Sequence, residues 1–267
     1  MQLEIVSLAL LSSVTVVALT GRMLSSDIIG YLGVRYGRAP VRTYRFEKSI
    51  PLHLNESEIF DQWPKRCPSL LYELELDEDC LFFSLLQHNS VKYRAATLLI
   101  VTNDNLVESK LLGIVSSTLN VIVASVRDGV LGSLGDSPFS VSDVISLSIF
   151  LQSHSNILNI GPITVCAVGS IAETISASLP QIDFARAILF NGNSHTRTKG
   201  RRKYSSRALY KLKTELMCDL PSVSQSTDCL RSKSLNEILS ATNKVTVSIS
   251  DNQNVINFNV LNNLVRI

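Results

Sequence analysis

The chain is poor in the features by which several function classes declare themselves. Neither sign of charge dominates: 25 Lys and Arg against 23 Asp and Glu leave +2 over 267 residues. That balance excludes the strong basic field of a nucleic-acid or anionic-membrane binder. Histidine is scarce, and His53, His88, His154 and His195 lack metal-ligand spacing. There is no glycine-rich phosphate loop. No metal and no cofactor is therefore expected. Low-complexity segments and internal repeats are missing as well. The C-terminal region carries no apolar run of bilayer length, and the N-terminal run from Ile5 to Leu19 is short for one.

What is present points to a globular fold. Hydrophobic residues make up 45% and the mean hydropathy is +0.21, which argues for a well-buried core over disorder. A length of 267 residues accommodates one sizeable core or two small ones. Residues 1–13 are expected to be a short signal peptide, with Ile5–Leu11 as its apolar region and small residues following. Glu4 and the lack of an N-terminal positive charge depart from the usual pattern, so an uncleaved anchor is the alternative and the only membrane attachment considered. Val14–Leu19 reads as a strand, and residues 14–267 as the domain. Asn55-Glu56-Ser57 is an N-glycosylation sequon in a polar stretch.

Residues 197–213 gather Arg197, Lys199, Arg201, Arg202, Lys203, Arg207, Lys211 and Lys213. They read as a solvated loop leading into an exposed helix face, with an anionic partner or a dibasic processing site as the other readings. Five cysteines leave one over after any pairing, and Cys166 lies in the apolar run Ile163–Ala167, so it is expected to be a buried, inert thiol.

Apolar runs of strand length, Leu81–Leu86, Ala96–Val101, Val121–Ser125, Ile163–Ala167 and Ala187–Phe190, alternate with helical patterns near 107–118, 142–156 and 171–179. That alternation predicts βαβ units and a mostly parallel sheet. Further helices are expected at 206–217 and 234–240. Glycines at 129, 132 and 135 punctuate the turn after Val121–Ser125. Residues 244–267 offer strand-like pieces and no clear closing element.

Several motifs, taken in order, resemble the carboxylesterase/cholinesterase (type-B carboxylesterase) family of α/β-hydrolases. Gly30-Tyr31-Leu32-Gly33-Val34-Arg35-Tyr36-Gly37-Arg38-Ala39-Pro40 is similar to the family's opening, with Tyr44-Arg45-Phe46 at the usual distance. Trp63, Cys67-Pro68 and Glu78-Asp79-Cys80-Leu81 resemble its first cysteine loop. Arg127-x-Gly129-Val130-Leu131-Gly132 is similar to its glycine turn, and Asp143, Phe150 and Gln152 fall within a matching helix. Arg186-Ala187-Ile188-Leu189 with Asn191-Gly192 resembles a later strand, and Cys218 to Cys229 a second cysteine loop. The likeness runs over about residues 14–240. It implies a truncated α/β-hydrolase fold: a mostly parallel central sheet flanked by helices, with a small N-terminal antiparallel part. It also implies disulfides Cys67–Cys80 and Cys218–Cys229, each worth roughly 3 kcal/mol for such short loops, and hence an oxidising, secreted or extracellular location.

The same resemblance says where ester chemistry should sit. Members attack with the serine of a Gly-x-Ser-x-Gly elbow. The matching stretch here is Ala167-Val168-Gly169-Ser170-Ile171, which puts Gly169 at the nucleophile position and Ile171 where a small residue belongs. Ser170 would serve only after a one-residue slip that puts β-branched Val168 at a tight turn. The family's oxyanion loop falls on Asn103-Asp104-Asn105-Leu106-Val107, with no glycine and a carboxylate where negative charge should develop. The family's acid and histidine positions fall beyond the region of likeness. The leading expectation is a non-catalytic, secreted carboxylesterase-like protein that binds an unknown protein or small-molecule ligand. The alternatives are a carboxylic-ester hydrolase, residual or half of a larger enzyme, and a truncated, non-functional product.

Overall fold

The computed structural model describes residues 19–55, 57–68, 76–91, 93–104, 106, 108–134, 137–193 and 199–250, without the side chains of 199–206 and 246–250. The expected signal peptide, all of the Val14–Leu19 strand but Leu19, Asn105, His195 and residues 251–267 lie outside these residues.

Eight strands form the main sheet. They are β1 (Thr20–Met23), β2 (Ile28–Arg35), β3 (Ile59–Phe60), β4 (Phe82–His88), β5 (Ala95–Val101), β6 (Leu119–Ala124), β9 (Ile160–Val168) and β10 (Arg186–Phe190). A two-residue hairpin supplies β7 (Ser133–Leu134) and β8 (Ser137–Pro138). The helices are α1 (Glu108–Leu112), α2 (Gly129–Gly132), α3 (Phe139–Ser153), α4 (Gly169–Ser178), α5 (Lys199–Glu215), α6 (Val223–Ser232) and α7 (Leu235–Ser250). The sheet order is β10-β9-β5-β6-β4-β2-β1-β3. Pairs β10/β9, β9/β5, β5/β6 and β1/β3 are parallel, while β6/β4, β4/β2 and β2/β1 are antiparallel. The sheet is thus mostly parallel, with its antiparallel part at the N-terminal side, as expected.

The strands form where apolar, often β-branched runs can be buried on both sides. From β5 the chain moves one way to β6, then back across β5 to β9 and on to β10. Right-handed crossovers therefore put α3 and α4 on one face and α1 on the other. The packing agrees. Leu99, Val101 and Val165 share a core with Val144, Leu147, Leu151, Ile171 and Ile175, whereas Ile100 and Val121 pack with Leu111. A third cluster joins Phe46, Leu131 and Phe139 to Leu212, Leu230, Ile238 and Ala241 of the last three helices and to Leu216 just after α5.

Both implied disulfides are present, Cys67–Cys80 and Cys218–Cys229. Some local expectations need correction. The helix expected over 107–118 is a single turn, because Gly113 and the bridge between Ser116 and Leu119 return the chain to strand at once. The strand-like piece Lys244–Ile249 lies within α7. There, Ile238, Ala241 and Val245 recur at helical spacing and are buried. Cys166 is half-buried, not buried, because it falls on the sheet face opposite α3 and α4; burial still pushes its thiol up. Among the described residues no helix is long and apolar enough to cross a membrane.

Candidate functional site at the carboxyl ends of the strands

Open parallel sheets present their ligand crevice outside the carboxyl ends of the strands. Four of the segments singled out in the sequence arrive there: Asn103-Asp104 after β5, Asp128 after β6, Gly169-Ser170 after β9 and Asn191-Gly192 after β10.

The turn between β9 and α4 is an elbow. Val168 is extended, Gly169 takes φ +63°, and helix begins at once. A left-handed φ is costly for residues with a Cβ, which is why glycine suits this point. A Cβ built on Gly169 would meet no atom within 4 Å, so the position faces open space. Gly192 backs the turn closely. A Cβ there would sit 2.1 Å from the Gly169 carbonyl oxygen and 3.0 Å from the Glu173 nitrogen, so only glycine lets the two loops touch.

Ser170 follows as the second residue of α4, and its hydroxyl donates to Asp128 Oδ2 at 2.9 Å. Asp128 also caps α2, its Oδ1 accepting from the Gly129 amide at 2.8 Å. Asp128 stands at the unspecified position of the glycine turn, and the signal for it in the sequence is an acid at an N-cap just before glycine. A cavity of about 160 Å³ lies alongside, with Asp128, Ser140, Ser170, Glu173 and Thr174 among its walls. Small-molecule sites run from about 300 Å³ upward, so this space admits a few waters or a small fragment.

Asn103 is buried at 4% exposure and donates from Nδ2 to the Val126 carbonyl at 2.8 Å, while its Oδ1 is buried with no hydrogen-bond partner. Its side chain thus ties the end of β5 to the end of β6. The Asp104 amide donates to Thr102 Oγ1 at 3.0 Å. Burial raises the Asp104 carboxyl above its ordinary range; the charge of Arg66 opposes the rise and that of Asp128 adds to it. Two carboxylates, Asp104 and Asp128, therefore share this end of the sheet.

The described histidines lie elsewhere. His154 Nδ1 faces the Phe150 carbonyl at 2.8 Å and its Nε2 accepts from the Leu54 amide. His88 Nδ1 contacts Ser90 after β4, and His53 stacks edge-on to His154. Among the described residues none of these bonds to Ser170, Asp104 or Asp128. Asn55 is exposed, and its side chain accepts from the Ser57 hydroxyl at 3.1 Å.

Other motif residues turn out to build the frame beneath the site. Asp143 on α3 is buried against Arg127, accepting from its backbone amide at 3.0 Å, from Nε at 2.9 Å and from Nη2 at 2.6 Å. The pair anchors α3 to the loop that carries Asp128. Arg45 forms a buried ion pair with Glu78 and donates from Nη1 to the Lys233 carbonyl at 2.6 Å, joining both cysteine-loop regions.

No family model matches the sequence, and no curated protein does. Solved structures do. The chain is similar to EstA from Aspergillus niger, with a TM-score of 0.65 and 17% identity over 83% of this chain and 48% of that one. It is also similar to a PNB esterase, with a TM-score of 0.72 and 18% identity over 89% of this chain and 55% of that one. The fold is the α/β-hydrolase fold, and the chain spans about half the length of these two structures.

Proposed function

We propose that the chain is a secreted, esterase-like protein that acts by binding a protein or small-molecule ligand and does not hydrolyse esters. Gly169 carries the reading. The elbow keeps its left-handed backbone, yet the position that would aim a nucleophile into solvent has no side chain. Two further observations support it. Asp104 occupies the loop that would hold an oxyanion, and a carboxylate there repels the developing charge; losing one oxyanion donor alone costs about 3 kcal/mol. No described histidine bonds to Ser170, so among the described residues no imidazole is in place to take its proton. The two disulfides and the exposed Asn55 favour an oxidising, glycosylating route out of the cell.

A second reading, a residual carboxylic-ester hydrolase, draws on the Ser170 hydroxyl bonded to Asp128 beside the 160 Å³ cavity. A carboxylate is a weak base toward a serine hydroxyl, and α4 holds that serine one residue past the elbow. A fluorophosphonate probe separates the two. The binding protein stays unlabelled under conditions that label a serine esterase fully; stoichiometric label on Ser170 establishes the hydrolase.

A further inference from the structure

Residues 49–54 run along α3 from one end to the other. The Ser49 amide donates to Ser142 Oγ at 3.0 Å in the first turn of the helix, and the Leu54 amide donates to His154 Nε2 at 3.3 Å just past its last residue. At 1.5 Å of rise per residue the two ties are about 18 Å apart. The first turn is the end beside the elbow, because Ser140 and Ser170 line the same 160 Å³ cavity. At Leu54 the chain therefore leaves α3 at the end remote from the elbow.

Asn55 follows at once and opens a turn that the Glu58 amide closes on its carbonyl at 3.2 Å. Asn55 and Ser57 are both exposed. The Ser57 amide and hydroxyl donate to Asn55 Oδ1 at 3.3 and 3.1 Å, so the carboxamide is held by its oxygen. Its nitrogen, the atom an N-glycan joins, makes no hydrogen bond among the described residues. Asn55-Glu56-Ser57 is also the only Asn-x-Ser/Thr in the sequence, and proline stands neither within it nor after it. Glycan transfer precedes folding, so the fold has only to leave room for the product. An oligosaccharide on Asn55 Nδ2 breaks no bond of the turn.

We propose that Asn55 is an N-glycan acceptor whose glycan stands at the end of α3 remote from the elbow, which leaves the crevice end of the sheet uncovered. The donor class is a lipid-pyrophosphate-linked oligosaccharide. The bond from Asn55 Nδ2 to the sugar C1 forms as the C1–O bond to pyrophosphate breaks. The lipid pyrophosphate leaves with the bonding pair, and Nδ2 gives up one proton. This deepens the binding reading by marking the side its ligand does not use, and it rests on that reading's export of the chain.

The test expresses the full chain in secreting cells in two forms, with its own N-terminus and behind a cleavable signal peptide from another protein. The expected product carries one glycan, which peptide-N-glycosidase removes without denaturant, leaving Asp in place of Asn55 in the peptide mass map. Asn55→Asp keeps the acceptor oxygen of the turn and takes no glycan. Ser57→Ala takes none either, whereas Ser57→Thr keeps it. Because transfer precedes folding, a variant retained in the cell still reports its occupancy. Entry of the fused chain into the secretory route with Asn55 bare would overturn the acceptor site. A glycan released only after denaturation would overturn its placement. A glycan on the fused form alone upholds the site and sinks the export of the native chain, so the site and the reading it rests on fail separately.

Discussion

At the scale of single residues, the elbow and its neighbours make opposite demands on a side chain. Gly169 has room for one but a backbone that resists it. Gly169→Ser is therefore expected to fold, to lose about 1–2 kcal/mol from the left-handed φ, and, on the proposed binding reading, still to turn over no ester, because no described histidine bonds at the elbow and Asp104 lies in the loop that would face the oxyanion. Gly192→Ala meets a backbone carbonyl at 2.1 Å. Chemical denaturation should show it to be the costlier of the two, although its side chain is the smaller. Asp104 gives a pH signature. Its folded carboxyl is raised above the unfolded value, so the folded state binds the proton more tightly. That contribution favours folding at pH below the ordinary carboxylate range and is lost as pH rises from the unfolded value through the raised folded one. Asp104→Asn should then stabilise the protein at neutral pH relative to the parent, with the difference shrinking in acid. A melt series from pH 3 to 7 checks the sign. Glu237 runs the other way. Its carboxylate accepts from the Ser234 amide and hydroxyl, which lowers it, so that cap weakens as pH falls through its depressed value.

At the scale of elements, the ion pairs matter more than their small number suggests. Arg127–Asp143 fixes α3 beneath the Asp128 loop, and Arg45–Glu78 joins the turn at Arg42–Tyr44 to the end of α6 and the first cysteine loop. Removing one partner strands a buried charge, so Asp143→Asn and Glu78→Gln should each cost about 3–5 kcal/mol in urea unfolding. A loss under 1 kcal/mol would mean that water reaches these pairs. The central strands were legible because runs such as Leu81–Leu86 and Ile163–Ala167 are long and apolar. α6 was not, since Val223-Ser224-Gln225-Ser226-Thr227 has little helical propensity; the Ser222 cap, accepting from the Gln225 amide, and the burial of Leu230 decide it. Lys244–Ile249 looked like a strand because alternation of β-branched residues spans only six positions, too few to reveal the helical repeat that starts at Ile238. The elbow was placed from the motif order, whereas the Ser170–Asp128 contact depends on two loops that only the fold brings together.

At the scale of the whole molecule, the sheet is well packed on its antiparallel side and against α3 and α4, and half-covered over β9 and β10. The frame residues that most resemble an esterase, Arg127, Asp143, Arg45 and both cysteine pairs, hold the fold together. On the proposed reading, the elbow offers Gly169 where a nucleophile would stand, and Asp104 puts a carboxylate in the loop that would face an oxyanion. A fold whose supports are intact around such a crevice is suited to presenting a surface. The most direct test of that claim is the hydrolysis of short p-nitrophenyl esters by the disulfide-bonded protein, beside its Ser170→Ala variant. The account predicts that both release p-nitrophenol no faster than buffer. Saturable turnover by the parent that disappears in Ser170→Ala would contradict it and make the chain an esterase.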